Sequence, residues 1–95
     1  MNAYEVTYII NPALSDDDVK KTTDKYNEMV ANLGGQVSAT DVWGKRRLAY
    51  EINGNVEGTY VCMKFSSSIE SMNECKRLMN LDENIVRSLF IRLEK

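Results

Sequence analysis

Trp43-Gly44-Lys45-Arg46-Arg47-Leu48-Ala49-Tyr50-Glu51-Ile52-Asn53-Gly54-Asn55 is the stretch on which the reading of the chain turns. Leu48, Tyr50 and Ile52 alternate with polar or small residues, the period of a strand. Asn53-Gly54-Asn55 is a turn signal, and Thr59 to Phe65 is again aromatic and β-branched, so the two runs form a hairpin. Upstream the strand extends back to Gln36, with Val37 and Ala39 before a bend at Gly44. Lys45, Arg46 and Arg47 follow that bend. Three cations beside an aromatic suit contact with phosphate and stacking on a base. The same pattern also describes a solvated strand edge at which glycine forms a bulge.

The elements on either side of the hairpin complete the topology. Tyr4, Val6, Tyr8 and Ile10 alternate with Ala3, Glu5, Thr7 and Ile9, which predicts a first strand with its even face buried and ended by Asn11-Pro12. Ser15 is a helix N-cap, Asp16 to Asp18 place negative charge in the first turn, and Gly34-Gly35 stops the helix. Val19, Tyr26, Met29, Val30 and Leu33 fall on one stripe of it. After the hairpin, Ser66-Ser67-Ser68 supplies cap candidates for a second helix, with Ile69, Met72, Cys75, Leu78 and Met79 on its apolar side. Asp82-Glu83-Asn84 is a polar connector. Ile85 to Leu93 reads as a last strand, with Val86 and Phe90 on one face and Ile85, Leu89, Ile91 and Leu93 on the other. A strand apolar on both faces is expected to be central or covered by a partner.

Strand, helix, strand, strand, helix, strand, joined by right-handed crossovers, gives an α+β, ferredoxin-like β-α-β-β-α-β fold. Its four-stranded antiparallel sheet carries both helices on one face, and the single domain spans residues 1–95. The other face has no helix. An uncovered face bearing Ile9, Leu89 and Ile91 is a natural docking surface for a partner.

Composition narrows the chemistry. Ninety-five residues make one domain with a modest core, and one proline with five glycines leaves little room for a linker. No apolar run is long enough to span a membrane, and Met1-Asn2-Ala3-Tyr4 has no secretory pattern, so the expected location is the cytosol. Cys62 and Cys75 are far apart and match no metal spacing, and histidine is absent. They read as reduced core residues, with no metal, no cofactor and no nucleophile–histidine pairing expected. The net charge of −2 and a pI near 5.1 argue against binding nucleic acid by bulk charge. A nucleic-acid role requires a local patch and help from a basic partner.

Gly44-Lys45-Arg46-Arg47-Leu48-Ala49-Tyr50-Glu51-Ile52 resembles the G-x-[basic]-x-L-A-Y-x-I stretch of the bacterial small-subunit ribosomal protein six family. The likeness extends to Tyr4-Glu5-Val6, Asn11-Pro12, Gly58 and Asp82-Glu83-Asn84, essentially the whole chain. It implies a structural, non-catalytic protein that binds small-subunit (16S) ribosomal RNA beside ribosomal protein eighteen, with no small-molecule substrate. Carried onto the matching positions, it makes Lys45, Arg46, Arg47 and Tyr50 the first RNA-facing candidates, with Arg87 and Arg92 on the last strand second. Leu48 and Ile52 look like core and Ala49 a small packing residue. Two departures stand out. Asn2-Ala3 replaces the basic residues that often follow the initiator methionine, and the sequence stops at Lys95 where many members carry a charged tail. RNA contact at the amino terminus therefore lacks its usual cations, and a tail-dependent grip on the partner is expected to be lost or shortened.

Three other functions share this topology. A stand-alone RNA-recognition module needs a K/R-G-F/Y-G/A-F-V-x-F/Y box on its third strand, which Gly58 to Phe65 misses. An acylphosphatase-like enzyme needs an arginine in a phosphate-cradling loop after the first strand, where this chain has Asn11-Pro12-Ala13-Leu14. A small-ligand-binding regulatory domain leaves less to read in sequence.

Overall fold

The computed structural model describes residues 2–52 and 54–93, the side chains of Ala49 and Ile52 excepted. The expectations for those two side chains, and for Asn53 in the turn, lie outside the described residues. The elements are β1 (Asn2–Ile10), α1 (Asp16–Asn32), β2 (Gln36–Ile52), β3 (Asn55–Ser67), α2 (Ile69–Leu81) and β4 (Ile85–Arg92). The strands form one antiparallel sheet in the order β2-β3-β1-β4, the ferredoxin-like arrangement expected from the element order.

Both helices start and stop by local chemistry. The Ser15 hydroxyl accepts from the Asp18 N–H at 3.2 Å and Ser68 does the same for Ser71 at 3.1 Å, each satisfying an amide that has no partner within its helix. Ser66 and Ser67, the other two cap candidates, belong instead to the end of β3. Helix α1 ends in a Schellman motif, with Gly34 N–H bonded to Ala31 C=O and Gly35 N–H to Val30 C=O. Gly34 has φ of +88°, a conformation that costs glycine little. Gly35 is needed for space, since a β-carbon there would lie 2.8 Å from the Ser66 carbonyl oxygen.

The core lies between the helices and one sheet face. Tyr4, Val6, Tyr8 and Ile10 from β1 and Val61, Met63 and Phe65 from β3 pack against Val19, Tyr26, Val30, Cys75 and Met79. Burying a side chain of this kind contributes about 1.5–3 kcal/mol each before entropy is counted. Thr22 and Thr23 are also buried on α1, which hydrophobic spacing does not reveal; their hydroxyls bond back to the Asp18 and Lys20 carbonyls. Ile69, expected on the inner stripe of α2, is exposed.

The structure narrows one expectation for the last strand and corrects another. β4 is an edge strand, so of the two places expected for a strand apolar on both faces, central or partner-covered, the central one does not apply. Its first residue, Ile85, packs against the core and does not share the face of Leu89 and Ile91. The cause is a register shift at Ile9/Ile10, which pairs Arg87 with Ile9 but Ile85 with Ile10 and so resets the alternation.

Asp82 ties the helical layer to the start of β4. Its side chain is about nine-tenths covered and accepts from the Tyr26 hydroxyl at 2.6 Å, the Lys25 ammonium at 3.0 Å and the Asn84 N–H at 2.9 Å. Burial alone would push this carboxyl up, but the three donors outweigh it and hold it below the usual range. Tyr8 is the opposite case. Its ring packs on Tyr26 with centroids 5.5 Å apart, yet its buried hydroxyl has no hydrogen-bond partner among the described residues.

These contrasts set measurable outcomes for three variants. Asp82→Asn is expected to cost about 1–3 kcal/mol in urea unfolding at neutral pH. Because the folded-state pKa of Asp82 is depressed, its contribution is present above the unfolded value of about 3.9 and fades as pH falls through the folded one. The deficit of the variant therefore shrinks in acid. Tyr26→Phe is expected to destabilise by about 1–2 kcal/mol, whereas Tyr8→Phe leaves thermal stability unchanged or raises it by up to about 1 kcal/mol.

Candidate nucleic-acid interface

The cationic triplet is placed by two bulges in β2. Its pairing with β3 slips between Val37 and Ala39 and again between Val42 and Gly44, leaving Ser38 and Trp43 as extra residues. Gly44 has φ of +89° at the second slip. The first bulge separates Val37, packed on the core, from Ala39, which pairs with Lys64 on the uncovered face. After the second, Gly44 pairs with Tyr60, Lys45 with Thr59, Arg46 with Gly58 and Arg47 with Glu57.

Paired residues share a face, so the triplet divides. Arg46 lies on the uncovered face with Tyr60, while Lys45 and Arg47 stand on the other side of the hairpin. All three are exposed. The Arg46 guanidinium donates to the Trp43 carbonyl oxygen at 3.4 Å, and the Trp43 ring stacks on Tyr60 at 6.3 Å and 11° between planes. The tryptophan adjoining the glycine was visible in sequence, but its cross-strand partner depends on the bulge.

Continuing the alternation, Leu48 and Tyr50 also fall on the uncovered face. They line a cavity of about 190 Å³ with Thr7, Ile9, Tyr60, Arg87 and Leu89. β2 and β4 are opposite edges of the sheet, yet the Arg87 guanidinium donates to the Tyr50 hydroxyl. The β2–β3 arm therefore reaches over the strands between. Gly58 permits this, because a β-carbon there would collide with Cγ2 of Ile9. Leu48 is buried as expected, but against this second face and not in the helix-covered core.

The candidate residues thus separate into groups. Arg46, Tyr50 and Arg87 share the uncovered face. Leu89 and Ile91 adjoin them on β4, 55% and 45% exposed, whereas Ile9 at 7% is the floor of the cavity and not part of its surface. Arg92 lies apart. It pairs with Tyr4 near the other end of β1 and donates to the Asn2 side chain at 2.8 Å, so it does not join Arg87.

Among the described residues there is no group of three histidine, cysteine or acidic side chains that could hold a metal, and no helix is long and apolar enough to cross a membrane. Burial pushes the Cys75 thiol up to about 11 and also raises Cys62, so both stay protonated at neutral pH.

Comparison with known proteins gives a consistent result. The family model described as Ribosomal protein S6 matches residues 3–92. The small ribosomal subunit protein bS6 of Desulfitobacterium hafniense (strain DSM 10664 / DCB-2) is 46% identical over 94 residues, covering 99% of each chain. That of Clostridium acetobutylicum is 40% identical over 95 residues and covers both chains fully. The crystal structure of 30S ribosomal protein S6 from Thermotoga maritima superposes with a TM-score of 0.91 over 97% of this chain and 87% of that one, at 22% identity, and supports the fold.

The arm provides its own test. Gly58→Ala is expected to lower stability by about 1–3 kcal/mol, through overlap with Ile9, and Leu48→Ala by about 2–5 kcal/mol, both read from chemical unfolding. The substitutions act on the same packed layer, so their effects should fall short of additive in the double variant.

Proposed function

Since the chain belongs to the ribosomal protein S6 family, a non-enzymatic component of the small ribosomal subunit, we propose that it binds small-subunit ribosomal RNA as one half of a heterodimer with ribosomal protein eighteen. The observation that carries this reading is the distribution of charge and apolar surface on the uncovered sheet face. Arg46 and Arg87 lie at its Gly44 end, and the exposed Leu89 and Ile91 continue along β4. Arginine and tyrosine meet phosphate and ribose, while an apolar strip beside them suits a protein.

Lys45 and Arg47 project from the opposite side of the same arm. The arm offers cations to phosphates on both of its sides, which suits a segment held between two stretches of RNA backbone. Arg92, at the other end of the sheet edge, serves a separate phosphate. The net charge of −2 explains the need for a partner. Each neutralised phosphate adds to affinity an increment that falls steeply with salt, and a few of them alone give weak binding. A basic partner on Leu89 and Ile91 extends the cationic surface.

Filter binding to the small-subunit RNA fragment, with and without the partner, tests this directly. Binding by the pair and weak binding by this chain alone is the expected result; tight binding by the chain alone overturns the heterodimer. Replacing Arg46 and Arg47 together with alanine is expected to weaken assembly and to make the salt dependence shallower, by about 0.7–0.9 in logarithmic slope for each phosphate left unneutralised. Thermal stability should stay nearly constant, because neither guanidinium is buried.

A further inference from the structure

We propose that the outer face of Trp43 is a stacking site for one unpaired base of the bound RNA, with Arg46 taking a phosphate beside it. The inference rests on the RNA-binding reading above and adds to it an interaction with a base in place of the backbone. Three observations carry it.

Trp43 is the extra residue of the second β2 bulge, and its ring is turned onto the uncovered face by that bulge. One face of the indole lies against Tyr60, nearly parallel at 11° and 6.3 Å, while the side chain remains 47% exposed. The stacked partner fixes the ring, so the base that adds to it loses little further side-chain freedom. β2 is an edge of the sheet, so among the described residues no strand lies beyond the ring to cover its outer face.

The chemistry beside the ring is of the right sign. Arg46 reaches back to the Trp43 carbonyl oxygen, which holds a guanidinium beside the Trp43 backbone, free to turn to the phosphate of a nucleotide stacked on the ring. A base fits this surface better than an aliphatic side chain of a protein does. A flat π-face with a cation on the same strand face three residues on pairs with a planar, anionic unit, and duplex RNA offers no such face until a base leaves the helix. The apolar side chains suited to a protein, Leu89 and Ile91, lie on β4 at the far edge.

The chain contains one tryptophan, so its emission reports on this ring alone. The full-length protein is titrated at low ionic strength with a short, single-stranded oligoribonucleotide of mixed sequence, and with an abasic oligomer of the same length. The expected result is quenching of Trp43 by the RNA and none by the abasic oligomer. Anisotropy of the labelled RNA then ranks the variants: Trp43→Phe binds nearly as well as the parent, and Trp43→Leu about fivefold or more weaker. Thermal midpoints of both variants are measured alongside, and the emission of the unaltered protein decides the matter even where a variant folds poorly.

RNA binding that leaves the emission unchanged and is insensitive to Trp43→Leu overturns the stacking site while leaving the RNA-binding reading intact. Loss of the protein partner, but not of RNA, in Trp43→Leu overturns it in favour of a protein-facing role. Absence of RNA binding by the unaltered chain, with the partner present, overturns both.

Discussion

Gly58 lies so close to Ile9 that any β-carbon would overlap its Cγ2, and this close approach brings the β2–β3 arm down over the uncovered sheet face. Leu48 is buried there, Ile9 becomes a floor, and Tyr50 comes within hydrogen-bonding reach of Arg87 on the opposite edge. The sheet consequently packs on both faces near the Gly44 end but on one face only towards Leu89 and Ile91. A glycine with an ordinary backbone conformation thus controls the surface by its size. The arm and the strands beneath it act as a second, smaller core, separate from the helix-covered one.

The bulge at Trp43 works on charge in the same way. Without it, the alternation along β2 would be shifted by one residue and the positions of Arg46 and of its two cationic neighbours would exchange faces. With it, one cation of the triplet joins Arg87 and three aromatic residues, Trp43, Tyr50 and Tyr60, while Lys45 and Arg47 project behind. A chain of net charge −2 thereby presents three consecutive cations on the β2–β3 arm, one on the uncovered face and two behind it. The acidic residues Asp16, Asp17 and Asp18 stand at the start of α1, where the helix dipole favours them.

The helical side is held by a different device. Asp82 collects three donors from two parts of the chain, and its Tyr26 partner is itself in the core. Covalent links are absent from this scheme, since both cysteines are free and buried. Close packing, two capped helices and one well-satisfied carboxylate fix the framework against which the arm can be positioned.

By itself the sequence determined the element order, the helix caps, the stop at Gly34-Gly35 and the apolar stripe of α1. These are local signals, carried by neighbours a few residues apart, and the backbone must satisfy them wherever the segment lies. The likeness of Gly44 to Ile52 to a ribosomal family was legible for the same reason. Tertiary structure alone decided how the cations divide, that Ile85 turns inward while Leu89 stays out, and that Leu48 is buried on the second face. Each of these depends on a register shift or on a strand's place in the sheet. Such features are set by pairing between residues distant in sequence, and one slipped residue reverses every side chain that follows.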